Sequence, residues 1–197
     1  ELFDQAKDGV ADIVWTVLGY TPGRFPKSEV FELPFSSGLA ESASRAFQEY
    51  VEKHAMDEFK DVKLIAVHLH GPGLIHSKDP VTKLDDMKGM KVRGGSRIVN
   101  IMLEQLGATP VGMPVPAVSE ALSKGVISAT TIPWEVTPAL KVQQLVKNHT
   151  GFAGEQGHVV APELVLDDLD LAGDHVIHAG QQLLAGGARI DPGPRQP

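Results

Sequence analysis

Apolar positions in the first seventy residues follow two rhythms. Ala11 to Val17 carries Ile13, Val14, Trp15 and Val17 almost without interruption before Gly19, which predicts a buried strand, and Val62–Leu69 reads the same way. Between them Leu39, Ala43, Ala46, Phe47, Tyr50 and Val51 recur three and four apart, so residues 40–54 are expected to form an amphipathic helix. Residues 1–8 read as the end of a helix, and residues 25–35, which contain Pro26 and Pro34, as loop and extended chain. Further on, Leu74–Ser77 is a short strand and Ser96–Leu106 a helix with Ile98, Ile101, Met102 and Leu106 inward. Val111–Val115 is a strand and Pro116–Ser123 a helix with proline in its first turn. Val126–Ile132 is another strand, followed by a helix across Pro138–Leu145. Strands alternating with helices predict an α/β architecture.

One junction carries more chemistry than the rest. Val92-Arg93 closes a short apolar run after the Lys88-Gly89 turn, and Gly94-Gly95-Ser96 lets the backbone turn sharply into the next helix. Arg93 therefore falls where a βα unit usually holds its ligand. Its planar, permanently charged guanidinium suits two parallel hydrogen bonds to a carboxylate. The same residue could equally pair with a surface acid such as Asp85 or Asp86, and the residues alone leave both readings open. Arg97, one turn later, is expected to face solvent or add an auxiliary charge. Trp134 follows Pro133 at the end of a strand, where an aromatic can cover the apolar body of an organic acid. Trp15 is expected in the core, whereas Tyr20 is balanced between core packing and ligand contact.

Other motifs are weaker. His68-x-His70 with His76 would place two imidazoles on one strand face, but no third ligand of recognisable spacing accompanies them, so no metal is expected. Gly94-Gly95-Ser96 matches neither the dinucleotide nor the phosphate-loop pattern. No GxSxG, cysteine or spaced carboxylate pair suggests catalysis, and no cofactor is implied; the enzyme reading would have to use His70 and Glu135 as acid and base.

Composition narrows the classes. The chain has 197 residues, 42% of them hydrophobic and 22% charged, with a net charge of −7, which argues against general nucleic-acid binding. No apolar run approaches the roughly 18 residues that span a bilayer, so no direct membrane insertion is expected. The absence of cysteine excludes disulfides without fixing a compartment, and no signal peptide is visible after Glu1. Residues 153–197 differ sharply from the rest: Lys, Ser, Thr, Asn, Met, Phe, Tyr and Trp are absent there. Apart from Ile177 and Ile190, every residue of that tail can be encoded by a codon starting with G or C. A frameshift in a GC-rich gene would produce this, as would a divergent terminus rich in Ala, Gly, Leu and Asp.

In their order, several motifs resemble the DctP-like periplasmic solute-binding proteins of tripartite ATP-independent periplasmic (TRAP) transporters. These are Asp86-Met87-Lys88-Gly89-Met90-Lys91-Val92-Arg93, then Leu106 to Pro114, Glu120 to Val126 and Pro133-Trp134-Glu135. Upstream they are Asp12 to Thr16, Gly19 to Pro26 and His70-Gly71-Pro72-Gly73, so that the resemblance covers residues 1 to about 152. It implies a two-lobed α/β periplasmic-binding-protein architecture, incomplete here because the usual first strand, first helix and C-terminal part are not recognisable. It divides the chain into part of a first lobe (1–69), a second lobe carrying the ligand arginine (70–152) and the atypical tail (153–197).

The resemblance also implies capture of a small organic anion in the interlobe cleft, delivery to membrane permease subunits, a periplasmic location and no enzymatic activity. It puts the carboxylate anchor on Arg93, apolar walls on Trp134 and Val115, and contacts from the opposing lobe on Tyr20 and His70. Glu135 would hold a ligand hydroxyl or ammonium, or pair with a basic neighbour. Ile132 replaces a frequent polar contact, and Ser128-Ala129 an acidic-glycine pair, which favours a less hydroxylated ligand. The alternatives are a truncated family member that binds nothing and the His70–Glu135 enzyme.

Overall fold

The computed structural model describes residues 2–33 and 39–151, together with a two-residue strand at His175–Val176. The tail expectation, a lobe boundary near Phe152 and Pro34–Phe35 fall outside the described residues.

Residues 2–69 are held together by aromatic rings rather than by a sheet. Helix α1 (Leu2–Lys7) carries Asp4 in its first turn and Lys7 in its last, each charge favourable to the helix dipole. Helix α2 (Ala40–Tyr50) continues through a π turn at Val51–Ala55 into a 3-10 turn at Met56–Phe59. Ala43, Phe47 and Val51 are buried along one stripe of it, while Leu39 at its start is 80% exposed. Phe3, Phe25, Phe47, Val51, Ala55 and Phe59 form the core of this region. Phe3 meets Phe25 edge-on at 5.2 Å, and Phe25 stacks on Phe59 at 5.3 Å. A 3-10 turn at Ser28–Glu32 occupies part of the expected loop.

Neither predicted strand in this region forms. Residues 11–17 and 62–69 form no regular element and join no ladder among the described residues. An apolar run becomes a strand only beside another, and here donors of the second segment go to side chains of α2 instead. Val67 N–H donates to Gln48 Oε1 at 2.8 Å and Leu69 N–H to Ser44 Oγ at 2.8 Å. Ile13, Trp15 and Ile65 are left 75%, 62% and 74% exposed, so Trp15 is not a core residue.

Residues 73–150 contain a mixed sheet with helices. Its strands are β1 (Gly73–Ser77), β2 (Lys91–Gly94), β3 (Thr109–Gly112), β4 (Ala129–Pro133) and β5 (Asn148–Thr150), in the order β3-β2-β4-β1-β5. His175–Val176 pairs parallel with β5 at the edge. Strand β2 runs parallel to both neighbours, with Arg93 opposite Val111 on β3 and Thr130 on β4. Strand β1 is antiparallel to β4 and β5. The turn into β2 is built as its residues suggest. Asp86 Oδ2 accepts from the Thr82 and Lys83 N–H groups, and Gly89 takes the φ of +71° that glycine tolerates.

Helix α3 (Arg97–Gln105) starts where predicted, with Ser96 Oγ capping the Val99 N–H at 3.2 Å. Its inward stripe is turned from the expected one. Leu103 is fully buried, flanked by Val99, Met102 and Leu106, the spacing of one helix face, and Ile101 points outward at 45% exposure. Helix α4 (Val118–Ser123) follows a 3-10 turn at Val115–Ala117, so Val115 belongs to that turn and not to β3. The helix expected across 138–145 is only α5 (Thr137–Leu140). Lys141, left-handed at φ 53°, breaks it before a 3-10 turn at Val142–Gln144.

Candidate functional site

Arg93, next to last in β2, lies between the chain leaving β3 and the end of β4, at the carboxyl ends of three parallel strands. The residue is only 3% exposed. Nε–H donates to the Met113 carbonyl at 2.8 Å, Nη1 to the Thr131 carbonyl at 3.0 Å and Nη2 to the Tyr20 hydroxyl at 3.5 Å. Thr131 Oγ1 returns a hydrogen bond to the Arg93 carbonyl at 2.9 Å, which ties the same strand ends from the other side.

No carboxylate pairs with this guanidinium among the described residues. Asp85 pairs with Lys88, and Asp86 is taken up by the turn at Thr82 and Lys83, so neither acid named for Arg93 pairs with it. Burial pushes the Arg93 pKa down from its usual value while the Tyr20 oxygen pushes it back, and the group keeps its charge. A guanidinium has five N–H groups, and three neutral acceptors leave two unaccounted for. A buried cation without a counter-ion is costly, and a bidentate anion would relieve it.

The surrounding glycines permit this arrangement. A Cβ on Gly95 would lie 3.0 to 3.2 Å from the guanidinium atoms, so the bare backbone packs against the cation. A Cβ on Gly19 would come within 2.5 Å of Ser96 Cβ, so residues 19 and 20 reach the start of α3 only because Gly19 has no side chain. Glu32 and Glu29 lie beside the same helix start. Burial raises the Glu32 pKa against the lowering effect of its hydrogen bond from Ser96, and Arg97 pairs with Glu29 through Nη2 and Oε2. Arg97 thus joins the two regions instead of standing free in solvent.

Tyr20 is half-buried, and its hydroxyl also accepts from the Val115 N–H at 3.0 Å. Arg93, Tyr20 and Val115 therefore form one network, although Val115 takes part through its backbone and its side chain packs on the core beneath α4. His70 and Glu135 form a second group. His70 Nδ1 lies 3.1 Å from Glu135 Oε1, which also accepts from the Gly71 N–H at 3.3 Å. Partial burial works to raise the Glu135 pKa, but hydrogen bonds from its own backbone, His70 and Gly71 outweigh it and hold the carboxyl below its usual value. Trp15 extends this group: its indole N–H donates to His68 Nε2 at 2.9 Å and its ring meets His70 edge-on at 5.9 Å.

Trp134 follows β4 directly and is half-buried against two imidazoles, His76 and His149. His149 is not legible in the sequence, because the Asn148-His149-Thr150 strand has no apolar signal, yet it is 4% exposed. Ile132, the residue at a frequent polar position of the resembled family, is 1% exposed and part of the core. Of the three histidines weighed for a metal, His68 and His70 stand edge-on with ring centres 5.3 Å apart, held by Trp15 and Glu135, whereas His76 lies apart from them inside the sheet. A surface hollow of about 350 Å³ near Phe3, Arg24 and Asp57 contains none of these residues.

The family model for bacterial extracellular solute-binding protein, family 7 (DctP), matches residues 1–169, beyond the stretch whose motifs carry the resemblance. A TRAP solute-binding protein from Rhodoferax ferrireducens, crystallised with copurified benzoate, is 54% identical with a TM-score of 0.76. The match covers 77% of this chain and 48% of that one. A marine-metagenome TRAP solute-binding protein specific for aromatic acid ligands, crystallised with 3-hydroxybenzoate, is 55% identical with a TM-score of 0.77, over 79% of this chain and 49% of that one. A solute-binding protein of Albidiferax ferrireducens is 27% identical over 132 residues, 64% of this chain and 38% of the relative. The chain thus spans about half the length of the solved relatives and less of the other.

Proposed function

Because this chain belongs to the bacterial extracellular solute-binding proteins of family 7, we propose that it captures a small aromatic carboxylate and delivers it to the permease subunits of a TRAP transporter. Members of the family are transport proteins that bind solutes outside the cytoplasm, not enzymes. Among the described residues no helix is long and apolar enough to cross a membrane. We place the ligand between residues 2–69 and residues 70–152, in the periplasm.

A single observation carries the reading: Arg93 is a buried cation with three neutral acceptors and, among the described residues, no acid. A ligand carboxylate supplies the missing charge, and Tyr20, from the other region, already touches the same guanidinium. The aromatic body then lies toward Trp134 and Val115, with His70 and Glu135 at its far end. The choice of an aromatic acid is supported by the ligands of the two solved relatives and by Ile132, which turns a frequent polar contact into core.

His70 and Glu135 do converge, as the enzyme alternative requires. The carboxyl is however held ionised by His70 and Gly71 and is more than half exposed, a poor setting for a base that must have a raised pKa. Calorimetric titration with benzoate, 3-hydroxybenzoate and succinate tests the proposal, with thermal unfolding as a control for folding. Binding of the aromatic acids that Arg93→Leu abolishes, while the unfolding midpoint stays, is the expected result. Equal affinity in wild type and variant would remove the anchor, and a cooperative fold that binds no acid would favour the family member that binds nothing.

A further inference from the structure

Beneath Trp134 lies a histidine pair that capture of a carboxylate by Arg93 does not use. His76 on β1 and His149 on β5 are register partners across the antiparallel ladder, 0% and 4% exposed. Their Nδ1 atoms are 2.7 Å apart, a separation that needs one proton between them. His76 Nε2 lies 3.2 Å from the Ile132 carbonyl, which can only accept. His76 therefore carries its proton on Nε2 and accepts at Nδ1, and His149 is the Nδ1–H donor. Each ring has one orientation and one tautomer that satisfy both contacts.

Trp134 rests on both rings. Its indole is tilted over His76 at 5.5 Å and meets His149 edge-on at 5.0 Å. The same hydrogen-bond chain ends on the carbonyl of Ile132, two residues before Trp134, so it fixes both the surface under the indole and the strand that delivers it. A leucine pair would fill the volume without fixing a ring angle, whereas aromatic contacts depend on that angle.

We propose that His76 and His149 are positioning residues that set the angle at which Trp134 presents its ring, and so select aromatic over aliphatic carboxylates. The inference rests on the placement of Trp134 as a wall of the ligand site. Arg93 answers to the head group alone, and the body of the ligand is discriminated just past the carboxyl end of β4, three residues beyond Thr131, by an aromatic surface held from below. Neither histidine touches the ligand in this arrangement; both act through Trp134.

The test compares benzoate with butyrate, which offers the same head group on an aliphatic body. Affinities for both are measured in wild type, His149→Leu, His149→Asn and Trp134→Leu, and in the double variant of His149→Leu with Trp134→Leu. Imidazole ¹⁵N spectra of the ligand-free wild type report the tautomers. His149→Leu is expected to weaken benzoate about three- to tenfold, the range of an aromatic contact, with butyrate unchanged within about twofold. His149→Asn, which keeps an N–H donor near the Nδ1 position, should restore part of the loss. In the Trp134→Leu background the leucine at position 149 should change nothing further. A merely structural role would weaken both acids together, and that result overturns the proposal, as would a His76 protonated on Nδ1. If His149→Leu does not fold, the asparagine variant and the spectra decide by the same criteria. Wild type that binds neither acid would defeat the carboxylate reading itself, and the inference with it; wild type that prefers benzoate with unaffected variants would defeat this inference alone.

Discussion

Residues 2–69 and residues 73–150 bury similar kinds of side chain by different means. The first region gathers Phe3, Phe25, Phe47 and Phe59 around the end of one helix, while segments 11–17 and 62–69 leave Ile13 and Ile65 mostly exposed. In the second, a ladder satisfies the backbone and two clusters, around Leu103 and around Leu122, fill the space between sheet and helices. The Arg93 guanidinium donates two of its three hydrogen bonds to the second region and one, the longest, to the first. An anchor that must hold a buried charge at fixed geometry belongs on a sheet whose register is fixed on both sides, and contacts from the less constrained region can then close over it.

The sharpest way to break this contrast is to empty each core in turn. Phe47→Ala should cost about 3–5 kcal/mol and Leu103→Ala about 2–5 kcal/mol. Hydrogen exchange should locate the damage: Phe47→Ala is expected to expose amides of α2 while those of β2 and β4 stay protected, and Leu103→Ala to do the reverse. Loss of protection everywhere in both variants would mean that the regions unfold as one.

Acid provides a second probe, confined to the sheet. Burial and the neighbouring His149 lower the His76 pKa from 6.5 to about 4, against a smaller opposing effect from the Ile132 carbonyl. The native state therefore resists a proton that the unfolded chain accepts, and stability present above pH 6.5 is lost progressively toward pH 4. The full loss is on the order of 3 kcal/mol, read as a falling urea midpoint that is flatter in His76→Phe. A slope unchanged in that variant would assign the acid sensitivity to other groups.

Arg93→Met should separate binding from folding. Each charge-assisted hydrogen bond is worth about 1.5–3 kcal/mol, so carboxylate affinity should fall tenfold or more in calorimetry. Thermal stability should hold or rise, because a buried uncompensated cation has been removed. The smallest effect is expected from Arg97→Gln. Its bond to Glu29 joins the regions at a half-exposed site, and a change in unfolding free energy under about 1 kcal/mol, shrinking further in high salt, is the expected outcome.

How far these features could be read in advance depended on how local their causes are. The Gly89 turn, the Ser96 cap and Arg93 at the strand end are set by a few adjacent residues, and they stand where the sequence put them. Segments 11–17 and 62–69 failed as strands because an apolar run says nothing about whether another strand lies beside it. Polar side chains of α2, Ser44 and Gln48, took up backbone donors that a ladder would have used. The turn of the α3 stripe from Ile101 to Leu103 follows from which face meets the sheet, a tertiary fact. His149 was illegible for a similar reason, since three polar residues forming a buried strand carry no periodic signal. Lys141 in a left-handed conformation likewise could not be foreseen in a residue other than glycine or asparagine.

The Tyr20 hydroxyl, already accepting from Arg93 and from the Val115 N–H, has both lone pairs engaged and one proton left to give. A molecule entering beside it would meet hydrogens from phenol and guanidinium alike. Such a surface would distinguish protonation states of the proposed solute: a carboxylate would accept at both oxygens, whereas the corresponding acid or amide brings hydrogens that face hydrogens. Capture would then follow the ionised fraction of the solute, and a drop in the surrounding pH would lower uptake through the chemistry of the cargo even if every group of the protein kept its charge.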